Sequence, residues 1–212
     1  MYKYILFDWD GCLAKTLHLW MKAYTVSYQE AGINTTPKEI LIKSWGNNEL
    51  GPKNYGIENY LDFFNTKVVS YVQNNIQSLE LYKYTKEILL NLKKQNKILI
   101  LVTSSPRNLI TPALKNHNLT KVFDFTITDS EVTHRKPNPE IIEVSLKEIN
   151  GNKNEAIIIG DTEKDILAGK NAEIASILVL HEENRIFYDF EKVKQTNPDY
   201  IVYNLKELLN IV

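Results

Sequence analysis

Short apolar runs that end in acidic or small polar residues recur along this chain. Three of them are Tyr4-Ile5-Leu6-Phe7, Ile98-Leu99-Ile100-Leu101-Val102 and Ala156-Ile157-Ile158-Ile159. An unbroken apolar run of this length is typical of a strand that is buried on both faces. Between the runs, apolar residues recur every three or four positions, as in 86–95, and this spacing favours amphipathic helices. Strand and helix in alternation predict a parallel sheet with helices on both faces, an α/β fold of Rossmann-like type.

The stretch that follows the first apolar run has a different pattern, because it is helical throughout and contains no convincing strand. Residues 13–31 have helical spacing, and residues 47–56 are predicted to form a loop. A long helical stretch inside an alternating pattern indicates an insertion. We therefore expect an α/β core built from residues 1–15 and 80–212, and an inserted all-α cap domain formed by residues 16–79.

Composition narrows the class of protein. The chain has 212 residues, of which 43% are hydrophobic and 24% charged, as expected of a globular protein with a substantial core. The formal net charge of -1 gives no electrostatic reason to expect nucleic acid or an anionic membrane as partner. Cys12 is the single cysteine, so an internal disulfide and a four-cysteine zinc site are excluded.

Nothing in the sequence indicates a membrane span or an export signal. No apolar stretch approaches the roughly 18 residues of a membrane helix, and the first residues lack a signal-peptide pattern. The expected location is the cytoplasm. The sequence does not distinguish a monomer from a weak dimer.

Two carboxylates follow the first apolar run, in Asp8-Trp9-Asp10-Gly11. Alone, this tetrapeptide is a weak signal, because Asp-Gly is a common turn pair. In an open α/β sheet, however, ligands bind at the carboxyl ends of the strands. Two acids so close together repel each other, and a hard cation such as Mg²⁺, which prefers oxygen ligands, would offset that repulsion.

Polar residues also follow the other apolar runs. Thr103 and Ser104 come after the second run, and Asp161 comes after the third. Lys136 directly precedes a predicted helix, and Asp165 lies one helical turn beyond Asp161. Each has an ordinary alternative, such as a helix cap, a surface lysine or a solvated acid. Parallel strands nevertheless bring their carboxyl ends to one edge of the sheet, so the sequence predicts that these residues form a single site.

Four segments then resemble the motifs of the haloacid dehalogenase-like hydrolase superfamily, in the order of that family. They are Phe7-Asp8-Trp9-Asp10-Gly11, Val102-Thr103-Ser104, Lys136-Pro137-Asn138-Pro139 and Gly160-Asp161-Thr162-Glu163-Lys164-Asp165. The resemblance extends over essentially the whole chain, and the helical insertion is similar to the small helical cap of that family. It implies a phosphatase that depends on Mg²⁺ and acts on a small phosphorylated metabolite.

The resemblance also implies a role for each matching residue. Asp8 would be the nucleophile that forms an aspartyl-phosphate, and Asp10 would be the general acid and base. Mg²⁺ would be held by Asp8, by the backbone carbonyl of Asp10 and by Asp161. The residues implied in binding or neutralising the phosphoryl group are Thr103, Lys136 and Ser104. Asp165 would act through a metal-bound water or through Lys136.

Related activities on the same fold stay open to different degrees. A phosphomutase shares all four motifs and is the main alternative. A phosphonate hydrolase and a dehalogenase are both disfavoured by Asp10. An inert binding module is disfavoured by the intact set of motif residues, Asp8, Asp10, Thr103, Lys136 and Asp161. Related phosphatases commonly have Thr where Cys12 stands and Asp where Lys15 stands. The identity of their substrates therefore cannot be assumed for this chain. Lys15 is predicted either to favour anionic substrates or to be a solvated residue of the connection.

Overall fold

The computed structural model describes residues 2–46 and 50–212. The chain divides into two compact units, one made of Met1–Lys15 with Glu80–Val212 and the other of Thr16–Leu79. Of the predicted loop 47–56, residues 47–49 lie outside the described residues, and Leu50–Lys53 form a short helix. The role of the second unit as a cap stays a prediction.

Six parallel strands form the centre of the first unit, in the spatial order β3-β2-β1-β4-β5-β6. They are β1 (Tyr4–Phe7), β2 (Ile98–Thr103), β3 (Phe125–Thr128), β4 (Ala156–Gly160), β5 (Ala175–Val179) and β6 (Tyr200–Val202). The chain proceeds from β1 to one side as far as β3 and then returns to β4 on the other side. A sheet that reverses its strand order in this way has a ligand-binding crevice at the carboxyl ends of the strands beside the reversal.

The α-helices of the described residues are, in chain order, α1 (Leu17–Glu30), α2 (Pro37–Lys43), α3 (Leu50–Lys53), α4 (Tyr60–Phe63), α5 (Ser70–Asn75), α6 (Thr85–Lys94), α7 (Arg107–Asn116), α8 (Glu140–Glu148), α9 (Glu163–Asn171) and α10 (Phe190–Lys194). The first five belong to the helical unit and the other five to the sheet unit. A π-helical segment, Phe64–Val69, joins α4 to α5. A 3₁₀ helix, Glu182–Ile186, follows β5.

Both faces of the central strands are buried, as the unbroken apolar runs predict. Leu6 of β1 and Ile158 of β4 pack with Ile142 of α8 on one face. Ile5 of β1 and Leu101 of β2 are also fully buried. Because neighbouring residues of a strand point to opposite faces, both faces of the sheet are covered. Each such side chain contributes about 1.5–3 kcal/mol by leaving water.

The register of the strands brings the predicted site residues to one edge. Phe7, the last residue of β1, lies opposite Leu101 of β2 and Ile159 of β4. Asp8 follows Phe7 directly, and Asp161 lies two positions beyond Ile159. The carboxyl edge of the sheet therefore carries the acids from β1 and β4 side by side.

The helical unit has an aromatic core of its own. Tyr24 and Tyr28 of α1 are buried, and the Tyr28 ring lies 5.4 Å from that of Phe63. The Tyr28 hydroxyl and the hydroxyl of Ser44 are 2.8 Å apart, so the buried phenol has a hydrogen-bond partner. These aromatic side chains stabilise the unit itself. Within the described residues, no helix has both the length and the apolar character that crossing a membrane requires.

We predict that Gly169→Ala lowers the stability of the sheet unit. A Cβ at this position of α9 would lie 2.6 Å from Cγ2 of Ile158 in β4, well inside contact distance. The expected loss is about 1–2 kcal/mol, since overpacking outweighs the better helix propensity of alanine. Urea unfolding measures it, with Lys170→Ala, the exposed neighbour in the same helix, as control. An unchanged midpoint would mean that α9 shifts to accept the methyl group.

Candidate active site

A buried lysine joins two carboxylates at the carboxyl edge of the sheet. The ammonium nitrogen of Lys136 lies 2.7 Å from Oδ1 of Asp8 and 2.7 Å from Oδ1 of Asp165. It also donates to the carbonyl oxygen of Val102, at 3.3 Å. Three acceptors satisfy the three donors of the ammonium group. Lys136 is only 6% exposed, so these contacts hold it firmly between the two acids.

Asp165 is held in turn by the first residues of α9. Its second oxygen, Oδ2, accepts hydrogen bonds from the backbone N–H and the hydroxyl of Thr162, at 3.1 and 2.5 Å. This is a capping box, in which the N-cap residue and the third residue of the helix bond each other. Gly160 makes room for it, because a Cβ there would collide with Cγ of Asp165. Both oxygens of Asp165 thus serve to position Lys136.

Asp161 differs from Asp165 because its carboxylate is buried without hydrogen-bond partners. Its side chain is 1% exposed, and neither carboxylate oxygen has a hydrogen-bond partner. Carboxylate oxygens of Asp8, Asp161 and Asp165 all lie within 4.8 Å of one another. Ionised, these three acids face the single ammonium of Lys136, which leaves two negative charges to be balanced. Oxygen donors and this charge fit a divalent cation such as Mg²⁺, bound by Asp8 and Asp161.

The electrostatics of the cluster follow from its burial. Burial raises the pKa of Asp8, against the opposing effect of the Lys136 ammonium. Burial also raises the pKa of Asp161, and the nearby carboxylate of Asp8 adds to this. Burial alone would lower the pKa of Lys136, but the carboxylates of Asp165 and Asp8 together raise it, so the side chain remains an ammonium. A cation at Asp161 would reverse the rise for both acids.

The second acid of the first motif, Asp10, lies against hydroxyl groups. The hydroxyl of Ser105 donates to Oδ2 of Asp10 at 2.7 Å, and that of Thr103 lies 3.4 Å from the same oxygen. The Thr103 hydroxyl oxygen accepts the backbone N–H of Ser105 at 3.0 Å. Thr103 is fully buried, whereas Asp10 is only partly buried. Two hydroxyl groups thus contact one oxygen of the Asp10 carboxylate.

The structure brings most of the predicted residues together and separates one. Ser104 is exposed at the end of β2. Ser105, which the sequence analysis did not select, takes the place beside Asp10. Residues 104 and 105 form a bend after β2, so the direction of the chain at this bend decides which serine faces Asp10. Local periodicity in the sequence does not predict that direction.

Lys15 does not present a free charge. Its ammonium nitrogen lies 3.2 Å from Glu183 and 3.9 Å from Glu80. These two acids balance its charge, which favours the second of the two sequence interpretations, a residue of the connection. The contacts described above place the other predicted residues in two groups. One group contains Asp8, Lys136, Asp161 and Asp165, and the other contains Asp10 and Thr103.

Comparison with known proteins agrees with this geometry. The model of the family described as haloacid dehalogenase-like hydrolase matches residues 5–179, most of the chain. The chain belongs to this family. The match includes all four motifs and the helical insertion, so this haloacid dehalogenase-like hydrolase is an enzyme of the hydrolase class, as its motifs predict.

Named relatives of this hydrolase include two kinds of phosphatase. The pyrophosphatase PpaX of Oceanobacillus iheyensis is 26% identical, over 98% of this chain and 95% of its own length. The phosphoglycolate phosphatase of Vibrio parahaemolyticus is 30% identical, over 67% of this chain and 60% of its own. Among solved structures, CbbY of Rhodobacter sphaeroides, determined in complex with phosphate, has a TM-score of 0.82 at 18% identity and covers 98% of this chain and 96% of its own. That likeness shows the shared fold.

We predict that Asp161→Asn weakens Mg²⁺ binding more than it weakens the fold. The amide keeps the shape of the side chain but replaces an anionic ligand oxygen by a neutral one. Titration calorimetry with Mg²⁺ on the purified protein measures the change directly, and activity should return in part as Mg²⁺ is raised.

Asp199→Asn is the matched control for this variant. The Asp199 carboxylate accepts the Ser176 N–H near the amino end of β5, away from the carboxyl edge of the sheet. An Mg²⁺ titration that is the same for Asp161→Asn and the wild type would exclude Asp161 as a ligand.

Proposed function

We propose that this hydrolase cleaves a small-molecule phosphomonoester with the help of Mg²⁺, through an aspartyl-phosphate on Asp8. The observation that carries the proposal is the different environment of the two acids of the first motif. Asp8 accepts a hydrogen bond from a buried ammonium, and Asp10 accepts one from a hydroxyl. A nucleophile must be ionised, whereas a general acid must hold a proton and release it, and these surroundings suit the two tasks.

In the first half-reaction, a carboxylate oxygen of Asp8 forms a bond to phosphorus as the bond to the leaving oxygen breaks. Asp10 donates its proton to that leaving oxygen, which departs as an alcohol, and Asp10 is left as a carboxylate. In the second half-reaction, Asp10 takes a proton from a water molecule, whose oxygen attacks the phosphorus. Asp8 is released as a carboxylate, and phosphate leaves.

The remaining groups act on the phosphoryl oxygens and on the position of the acids. Lys136 supplies positive charge beside Asp8, where charge develops in the transition state. The Thr103 hydroxyl lies at the end of β2, 3.4 Å from Oδ2 of Asp10, and α7 begins four residues later with its backbone N–H groups. Mg²⁺, held by Asp8, Asp161 and the Asp10 carbonyl, would add positive charge at the phosphoryl oxygens.

The residues of the site indicate a phosphomonoester as the class of substrate. A screen of phosphorylated metabolites would identify the particular compound. The relatives' names suggest pyrophosphate and phosphoglycolate as two compounds to include. The helical unit is proposed to act as the cap that selects among substrates and excludes water. A phosphomutase would share these groups, so the screen should include a sugar phosphate and should follow release of inorganic phosphate separately from isomerised sugar phosphate.

Asp8→Asn is expected to abolish phosphate release while leaving the fold intact. The amide cannot attack phosphorus, but it keeps the shape of the side chain beside Lys136. The measurement is release of phosphate from an aryl phosphate with Mg²⁺, alongside circular dichroism and thermal unfolding. Asp124→Asn is the control, because Asp124 binds the Leu99 N–H at the opposite edge of the sheet. Turnover close to wild type in a folded Asp8→Asn protein would refute the nucleophile assignment.

Asp10→Ala should slow turnover by roughly 10²- to 10⁴-fold, the usual loss when general acid–base help is removed. The first half-reaction should lose more with an alkyl phosphate than with an aryl phosphate, because a phenolate needs little protonation as it leaves. Rapid-quench measurement of the first turnover distinguishes the two substrates. Equal losses for both would show that Asp10 does not protonate the leaving group.

A further inference from the structure

The turn that follows Asp10, Gly11–Ala14, has each of its backbone carbonyls bonded to a fixed group. The Gly11 carbonyl accepts the Asn184 side-chain N–H at 2.9 Å, and the Cys12 carbonyl accepts Nε2–H of His181 at 2.9 Å. The Ala14 carbonyl accepts the Gly11 N–H at 3.0 Å. Two donors, the Tyr82 backbone N–H at 3.1 Å and the Thr85 hydroxyl at 2.9 Å, meet at the remaining carbonyl, that of Leu13.

The groups that hold the turn also hold one another. The rings of Tyr82 and His181 are parallel within 3° and their centroids are 3.6 Å apart. The Tyr82 hydroxyl donates to Oδ1 of Asn184 at 2.5 Å, which directs the amide N–H of Asn184 to Gly11. All three side chains are buried, at 4%, 7% and 2% exposed for Tyr82, His181 and Asn184. Buried side chains that are bonded to one another and to the backbone in this way restrict movement of the turn.

The carbonyl acceptors determine the tautomer of His181 and the orientation of the Asn184 amide. A carbonyl can only accept, so Nε2 of His181 carries the hydrogen that reaches Cys12. Burial lowers the pKa of His181, so the ring is neutral at physiological pH and this tautomer prevails. Asn184 likewise has one orientation that serves both Tyr82 and Gly11. The turn is therefore fixed by groups whose hydrogens have a single consistent arrangement.

The turn matters because Asp10 immediately precedes it. Gly11 has a φ of 76°, a left-handed conformation that reverses the chain directly after Asp10. The Asp10 carboxylate then meets Ser105 at 2.7 Å. A displacement of the turn by about 1 Å would lengthen this contact and misplace the acid, and misplacements of that size can cost about 10²-fold in rate.

The sequence position of these groups separates them from the family motifs. His181 and Asn184 lie after residue 179, the last residue that the family model matches. Glu183, between them, also forms the ion pair with Lys15 at 3.2 Å. The segment after β5 thus contacts the chain from Gly11 to Lys15 at three places. Two of these contacts, those of His181 and Asn184, are made to carbonyls of the turn.

We propose that Tyr82, His181 and Asn184 are positioning residues for Asp10, acting through the carbonyls of the Gly11–Ala14 turn. The proposal rests on the proposed role of Asp10 as general acid and base. The three residues bond the turn and one another, so their expected effect on catalysis passes through the turn. A purely structural network would affect stability, but it would not affect one class of leaving group more than another.

The experiment uses two mild variants in the full chain. His181→Phe keeps an aromatic ring against Tyr82 but removes the donor to Cys12, and Tyr82→Phe keeps the stacking but removes the hydroxyl that orients Asn184. We expect kcat to fall about 10- to 100-fold with an alkyl phosphate and much less with an aryl phosphate, with KM little changed. Tyr203→Phe, which changes an exposed tyrosine, is the matched control.

Amide hydrogen exchange without Mg²⁺ gives a readout that does not depend on activity. The N–H groups of Gly11, Leu13 and Ala14 are bonded within the turn, to the carbonyls of Ala14 and Trp9. In both variants their exchange should accelerate at least about tenfold while the amides of β1 remain protected, since local opening is separable from global unfolding. Unchanged turn exchange in both folded variants would overturn the proposal.

Measuring Asp10→Ala in parallel distinguishes the two possible failures. If Asp10→Ala loses alkyl turnover selectively and the network variants lose both substrates equally or neither, the proposed function stands and the positioning role is wrong. If the wild type turns over neither phosphate, or Asp10→Ala loses both equally, the role of Asp10 is wrong and the positioning proposal is overturned with it. Selective loss in all three variants, with faster turn exchange in the two network variants, supports the proposal.

Discussion

The buried ammonium of Lys136 is the interaction on which the site depends. Asp8, Asp161 and Asp165 place three carboxylates close together in a buried position. Removing one partner of a buried ion pair is strongly destabilising, because it leaves a charge without compensation. Lys136 bonds two of the three acids directly. Asp161 is then the acid left for a cation, so the lysine decides both the charge balance and where a metal fits.

The two acids of the first motif are distinguished by what their partners can do. An ammonium group can only donate, so Lys136 favours the charged form of Asp8. A hydroxyl can donate to a carboxylate and can also accept from a carboxylic acid, so Ser105 can stay bonded to Asp10 in either protonation state. Two carboxylates separated by a single residue thus acquire different surroundings. The difference arises because Asp8 meets Lys136, which precedes α8, whereas Asp10 meets Ser105, which follows β2.

The chain directly after Asp10 shows how distant contacts override a local pattern. Helical spacing predicts a helix from residue 13, but α1 begins at Leu17. The N–H groups of Leu13 and Ala14 bond back to the Trp9 carbonyl and close a turn. Three of the four carbonyls of that turn are bonded by residues far away in sequence, such as Tyr82, His181 and Asn184. The helix propensity of residues 13–16 cannot predict hydrogen bonds to residues so far away in the sequence.

Much of the architecture could be predicted from the sequence, because a strand buried on both faces must be apolar and its end must be polar. Those two requirements predicted the parallel sheet, and the motifs at three strand ends predicted Asp8, Asp10, Thr103 and Asp161 as neighbours. The sequence did not predict which serine hydroxyl faces Asp10, because this depends on the direction of the chain after β2. The structure places Ser105 there and turns Ser104 outward.

The sequence by itself determined the order of strands and helices and the chemical types at the strand ends, because periodicity and turn residues are local properties. The tertiary structure alone decided the partners: Lys136 between Asp8 and Asp165, and the segment after β5 against the turn that carries Asp10. Hydrogen bonds and ion pairs form between atoms within about 3 Å of each other. Distances of that kind between residues more than a hundred positions apart exist only after the chain has folded.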